Sequence, residues 1–275
     1  MPDTVTTATL AVPGARLHYE VRGQGPVVVL VGAPMDARSF EPLADLLSAD
    51  HTVLTTDPRG INRSPVDDPG QDSTPEMRAD DLSRLLTHLG AGPAAVLGSS
   101  GGAVSALALA QAHPDQVHTV IAHEPPLIEL LEDREELRKG TEEIIATHLA
   151  GDARGAFRKF LEQANIFLPE EVFEHMVGGD RDPQDVADAD FQHAHMLRPT
   201  VRWVPDVHAL RSGTPRIVVG IGTDSAGQLC DRSSRALADT LGVEPTMFPG
   251  DHVGFAGDPE RFAARLRAVL AAADL

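Results

Sequence analysis

The chain is short of cysteine, of aromatic residues and of positive charge. Its one cysteine, Cys230, excludes an intrachain disulfide. A reducing compartment is therefore compatible, and Cys230 reads as a packed or half-exposed thiol rather than a reactive one. The aromatic share is only 4%, with one Trp and one Tyr among 275 residues, but hydrophobic residues still make up 42%, enough for a core. Lys and Arg number 23 against 41 Asp and Glu, a formal net charge of -18. A surface of that sign repels nucleic acid phosphates and anionic lipid headgroups, so neither nucleic acid nor membrane is expected as a partner. No window approaches the roughly 18 consecutive apolar residues of a membrane span. The opening MPDTVTTATLAVPG has neither the basic stretch nor the apolar stretch of an export signal, and a cytoplasmic protein is expected. No cluster has metal-ligand spacing, there is no Walker loop, and no Gly-x-Gly-x-x-Gly opens the first helix. Neither metal nor cofactor is expected.

What is present is an alternation of strands and helices. Residues 5–10 and 16–22 pattern as a hairpin at a sheet edge. VVVLV at 27–31 is a continuous apolar run, the mark of a strand buried on both faces. A helix near 39–48, a strand at 52–56, a helix over 75–89 and a strand at 94–98 come next, then an apolar helix over 101–112 and a strand at 117–122. The rhythm returns at 216–221, with a helix over 232–241, a short strand at 244–248 and a closing helix over 259–272. Such alternation predicts a mostly parallel sheet with helices on both faces. Residues 127–205 interrupt it with acidic helices and no clear strand; EDREELRKGTEE within them is a solvated helix face. The expected organisation is one composite domain, with a core of 1–126 and 206–275 and a helical cap of 127–205. Ligands bind at the carboxyl ends of strands in open α/β sheets, so an insert between two strands is expected to roof a pocket there.

Gly98-Ser99-Ser100-Gly101-Gly102 fits G-x-S-x-G, with a strand before it and an apolar helix after it. On such a turn Ser100 projects out of the sheet at the positive end of the following helix. A serine hydroxyl needs an adjacent base to become a nucleophile. Of twelve histidines, His252 is singled out by its place in PGDHVGF, a loop between the last strand and the last helix. His193 and His195 lie in the insert and are secondary candidates to face the pocket. The base needs an orienting carboxylate. Glu124 in AHEPP and Asp224 in GTDSAG both come just after strands, and spacing does not separate them. An oxyanion needs backbone donors. The N–H of Gly101 is one; in Gly32-Ala33-Pro34-Met35, Pro34 has none to give, so Ala33 is the second, with Met35 behind it. Asp57 and Arg59 of DPRGINRS are expected to pin loops beside the site. Met35, Met196, Trp203 and Phe255 are candidate wall residues, with core packing the equal alternative.

VVVLVGAP, DPRGINRS, GSSGG and PGDHVGF in this order resemble the α/β-hydrolase superfamily over the whole chain. VLGSSGGAVSALALAQAHPDQVHTVIAHEPP and, much later, FPGDHVGFAGDP are similar, more narrowly, to the zearalenone lactone hydrolases. The resemblance implies an eight-stranded α/β-hydrolase sheet with a helical cap, a triad of Ser100, His252 and Glu124, and an oxyanion donor at Ala33. It implies hydrolysis of an apolar ester or lactone, with an aromatic macrolactone such as zearalenone as the specific expectation. It is weakest in the cap. Val31 stands where the superfamily has histidine before Gly32, Asn62 replaces a usual glycine, and Asp224 is retained at the superfamily's more common acid position. An esterase or thioesterase acting on another secondary metabolite is the alternative, and so is a ligand receptor on the same fold; repeated turnover separates enzyme from receptor. A homo-oligomer is compatible with the sequence.

Overall fold

The computed structural model describes residues 5–179 and 181–272. Eight strands form one sheet: β1 (Thr6–Val12), β2 (Ala15–Arg22), β3 (Val27–Val31), β4 (Thr52–Thr56), β5 (Ala94–Ser99), β6 (Val117–His123), β7 (Arg216–Gly222) and β8 (Thr246–Phe248). Their order is β1-β2-β4-β3-β5-β6-β7-β8. β2 pairs antiparallel with β1 and β4, and all other pairs are parallel. The edge hairpin is longer than its expected strands. β8 is shorter, beginning after Pro245, which has no N–H for a ladder.

Helices cover both faces. α1 (Glu41–Leu47), α2 (Pro75–His88) and α3 (Gly101–Ala112) precede the insert; α10 (Leu229–Leu241), α11 (Gly254–Gly257) and α12 (Pro259–Ala271) close the chain. Leu82, Leu85, Leu107, Leu109, Leu237 and Leu241 from α2, α3 and α10 pack on one face of the sheet. Leu43, Leu47, Phe262 and Leu266 from α1 and α12 pack on the other. β5 and nearly all of α3 are buried, so the turn joining them is anchored at the centre of the molecule.

Between β6 and β7 the described residues form no strand. They run through α4 (Arg134–Leu149), α5 (Ala153–Ala164), α6 (Glu170–Val177) and α7 (Pro183–Phe191), a π-helical turn (Gln192–Met196), α8 (Leu197–Val201) and α9 (Val207–Ser212). The insert grips the sheet domain at defined points. Phe191 and Met196 pack with Ala33 and Ile61, loop residues of the sheet domain. A Cβ on Gly60 would lie 1.9 Å from the Phe191 ring, so only glycine accepts that aromatic side chain. Buried Arg78 of α2 donates to Ser105 Oγ at 2.8 Å and to Thr200 Oγ1 of α8 at 2.9 Å. Burial pushes its guanidinium down to about 9.

Candidate active site

The site begins with a strained turn. Ser100 has φ 56° and ψ -126°, a left-handed conformation that a side-chain-bearing residue holds only at a cost of about 1–3 kcal/mol. The neighbouring glycines make it possible. A Cβ on Gly98 would sit 2.3 Å from Gly102 O, and one on Gly102 would sit 2.2 Å from Val31 O. The Ser100 N–H donates to His123 O at 3.0 Å, tying the turn to β6. Gly101 is the first residue of α3, where a backbone N–H has no intrahelical acceptor.

Glu124 comes directly after β6 and is also left-handed, with φ 51°. Its N–H donates to Gly220 O at 3.0 Å, and its side chain is fully buried. Oε1 accepts the Gly222 N–H at 2.8 Å, and Oε2 lies 2.6 Å from His252 Nδ1. A carboxylate only accepts, so Nδ1 carries a proton, and in the neutral ring the lone pair is on Nε2. Burial is the largest influence on the Glu124 carboxyl and would raise its pKa, but the hydrogen bond from His252 and the charges of His123 and His252 together outweigh it and hold the carboxyl below its ordinary value. For His252 burial works against the charged ring; the Cys230 sulfur and Glu124 beside it outweigh that and raise its pKa. A quarter of the His252 side chain remains accessible. Asp224 is exposed, and its carboxylate accepts from the Thr223 hydroxyl at 3.3 Å. Its contribution to the histidine loop is through the backbone, an N–H donated to Gly250 O at 2.9 Å.

Ser100, Gly101, Ala33 and His252 line one cavity of about 140 Å³, roofed by Ile144, Phe160, Met196 and Val201 of the insert. Among the described residues the Ser100 hydroxyl makes no hydrogen bond; contacts of this type often tighten only when substrate is present.

A family profile described as alpha/beta hydrolase fold matches residues 25–169. An uncharacterized hydrolase of Bacillus subtilis, YraK, is 32% identical over 280 residues, covering 97% of both chains. The chain belongs to the α/β-hydrolase fold family. A zearalenone hydrolase of Cladophialophora bantiana is 33% identical over 129 residues, 46% of this chain and 49% of that protein. Among solved structures, a hydrolase from Pseudomonas aeruginosa superposes with a TM-score of 0.72 at 20% identity, covering 96% of this chain and 98% of the other. A thermophilic esterase from Thermogutta terrifontis gives 0.67 at 23% identity, covering 98% and 99%. This α/β-hydrolase is thus a hydrolase with esterase-like structural neighbours, and among its described residues no helix is long and apolar enough to cross a membrane.

Three of the four expected wall residues of this α/β-hydrolase lie elsewhere. Trp203 is buried against the sheet and donates its indole N–H to Glu76 at 2.9 Å. Phe255 is stacked on Phe40 at 4.6 Å within the opposite core layer. Met35 packs against that same layer. Each has the apolar chemistry of a wall but is oriented into packing; Met196 alone of the four faces the cavity. Asp57 and Arg59 pin loops: Asp57 accepts the Ala37 N–H at 2.9 Å, and Arg59 Nε donates to buried Asp81 at 2.6 Å. His195 reaches exposed Asp72 at 3.1 Å, and His193 belongs to a second cavity inside the insert. Sequence reasoning missed Cys230, which lines the same cavity as Ser100 and His252. Its signal was position, at the start of the helix after β7, beside the loops at the sheet's carboxyl ends.

Proposed function

We propose that the chain is a serine hydrolase of carboxylic esters or lactones, working through Ser100, His252 and Glu124. His252 Nε2 takes the proton of Ser100 Oγ as that oxygen bonds to the substrate carbonyl carbon. The N–H groups of Gly101 and Ala33 receive the negative charge on the carbonyl oxygen. Glu124 stabilises the imidazolium and holds the ring in place. The imidazolium then gives its proton to the leaving alcohol oxygen as the C–O bond breaks. A water, deprotonated by His252, attacks the acyl-serine; the acid leaves and Ser100 regains its proton.

The observation that carries this reading is the 2.6 Å contact between His252 Nδ1 and buried Glu124, on a cavity that Ser100 also lines. The apolar roof supports an apolar ester or lactone. The partial match to the Cladophialophora zearalenone hydrolase supports a zearalenone-type aromatic macrolactone as the first compound to try. The test is a turnover screen of aryl esters, thioesters and macrolactones, zearalenone included, with Ser100→Ala alongside. Repeated turnover is expected, with a loss in the variant on the order of 10⁶ in kcat. Near-normal turnover by folded Ser100→Ala would remove the serine mechanism. A single burst without further turnover would make the protein a ligand receptor.

A further inference from the structure

The catalytic cavity, at about 140 Å³, is smaller than the roughly 300–1,000 Å³ usual for sites that enclose an organic ligand. A second cavity of about 300 Å³ lies within the insert, walled by α5, α6, α7 and the π-turn. Two side chains, Phe160 of α5 and Gln192 of the π-turn, line both cavities. The spaces therefore adjoin, with those two residues between them. The π-turn accounts for the shared wall. Its wider winding gives Gln192 to both cavities, His193 to the outer one and Met196 to the inner one. Turns of this kind are frequent at functional sites.

The outer chamber has the chemistry of a subsite. Phe157 and Phe160 stand nearly parallel, 6.3 Å apart and 11° from coplanar. His148 and His193 stack at 3.8 Å and 1°. Each pair is stacked on itself, and the flat outer face of such a stack suits a planar ring. His148 is held by Asp190 at 2.8 Å. His193 Nδ1 lies 2.7 Å from Ala189 O, a group that only accepts; Nδ1 therefore carries the proton, and Nε2 is left as the ring's acceptor. Burial keeps His193 neutral by lowering its pKa, which preserves that lone pair. Phe160 is 37% exposed and Met176 56% exposed, apolar surface on the chamber wall that the fold leaves uncovered. Of the two arginines on the wall, Arg154 is engaged by Glu174, whereas Arg181, among the described residues, reaches only the Asp185 carbonyl at 3.5 Å, so a carboxylate-bearing arm is the rival chemistry that the test must separate from a hydroxyl.

Resting on the serine-hydrolase reading, we propose that the substrate spans both cavities: its ester lies at Ser100, and an aryl arm bearing a hydroxyl donor passes between Phe160 and Gln192 into the insert, where the hydroxyl donates to His193. The scissile bond is thus selected by the sheet domain and the remote arm by the insert.

Wild-type kcat/KM is measured for 4-nitrophenyl esters of acetate, 5-phenylpentanoate, 5-(4-hydroxyphenyl)pentanoate and 5-(4-carboxyphenyl)pentanoate. The hydroxyaryl ester is expected to exceed the acetate at least a hundredfold and the plain aryl ester about tenfold, the latter the scale of one hydrogen bond. In Ala189→Trp, which fills the chamber, the long-arm to acetate ratio should fall at least tenfold. In His193→Phe, which keeps a stacking ring, the hydroxyaryl preference over the plain aryl ester should vanish. Equal kcat/KM for acetate and the long arms in the wild type would overturn the subsite while leaving the hydrolase reading intact. A preference for the carboxyaryl ester, or a hydroxyaryl preference that survives His193→Phe, would overturn the assigned chemistry. Failure to turn over even the acetate ester would instead strike the hydrolase reading. The wild-type series stands without either variant, should one fail to fold.

Discussion

The turn after β5 and the insert meet at one cavity, and they hold their side chains there by opposite means. The turn is fixed by backbone: Ser100 is left-handed, and Gly98 and Gly102 have no room for a single added carbon. Glu124 repeats the device on β6, with a positive φ and both carboxylate oxygens engaged. The insert relies on side chains. Its α5–α6 pair is joined by Arg154–Glu174 and Arg158–Glu170 contacts at the surface, which salt screens, and by Arg158 lying over the Phe173 ring. In the proposed serine hydrolase, chemistry that tolerates little displacement would stand on strained, glycine-locked loops, and recognition, which must fit a particular molecule, on helices whose faces can be repacked.

This contrast is open to attack, first where the largest loss is expected. Glu124→Gln keeps shape but loses charge, and should lower kcat about 10⁴-fold, the scale of the analogous change in a serine protease. Asp224→Asn, at an exposed carboxylate, should stay within about threefold, because side chains away from such networks contribute little. Reversed effects in kinetics of the two folded variants would return the acid role to Asp224. Next comes Gly102→Ala, which drives a methyl into Val31 O and should cost about 3 kcal/mol of stability, read from denaturant titration, together with most activity. An unchanged midpoint would mean the turn is not locked.

On the insert side, Met196→Ala should change the kcat/KM ratio between large and small esters about tenfold and, because the side chain is buried against Ala33 and Ile61, should also lower stability by about 2–5 kcal/mol. Trp203→Phe should lose about 1–2 kcal/mol through the lost Glu76 contact while selectivity holds. If both variants shift selectivity, the division between wall and core fails. The finest effect is in pH. His252 accepts a proton only when neutral, and its raised pKa moves the acid limb of kcat/KM to higher pH, above the ordinary histidine value of about 6.5. In Glu124→Gln the limb should move down. A wild-type midpoint at or below about 6.5 would mean the carboxylate does not support the charged ring.

The sheet was legible because its signals are local. VVVLV and AAVLG are apolar runs that only a doubly covered strand explains, and the glycines around Ser100 announce a turn that tolerates no side chain. Glu124 and Asp224 were not separable by spacing, since both come just after strands. What distinguishes them is a backbone dihedral and the direction of Gly222 N–H, which residue types do not encode. Trp203, Phe255 and Met35 misled because an apolar side chain suits a wall and a core equally. In the insert, periodicity failed for a definite reason. The π-turn at Gln192–Met196 accommodates an extra residue, rotating α8 by about 100° against a 3.6-residue repeat. His193 and Met196 thereby end on different cavities.

The notch at Gly60 bears on how such proteins could be recombined. Phe191 fills it, and nearby the Asn62 N–H donates to Asp188 at 2.8 Å, so the insert is keyed to a loop more than a hundred positions earlier in the chain. A foreign insert spliced between β6 and β7 would arrive without that key. If it offered no aromatic side chain, it would leave a hole against the loop that carries Asp57 and Arg59; if it met any residue larger than glycine at position 60, it would be held off the sheet. Chimaeras in this lineage should therefore exchange DPRGINRS and the insert as one unit, and natural drift at either place is constrained by the other.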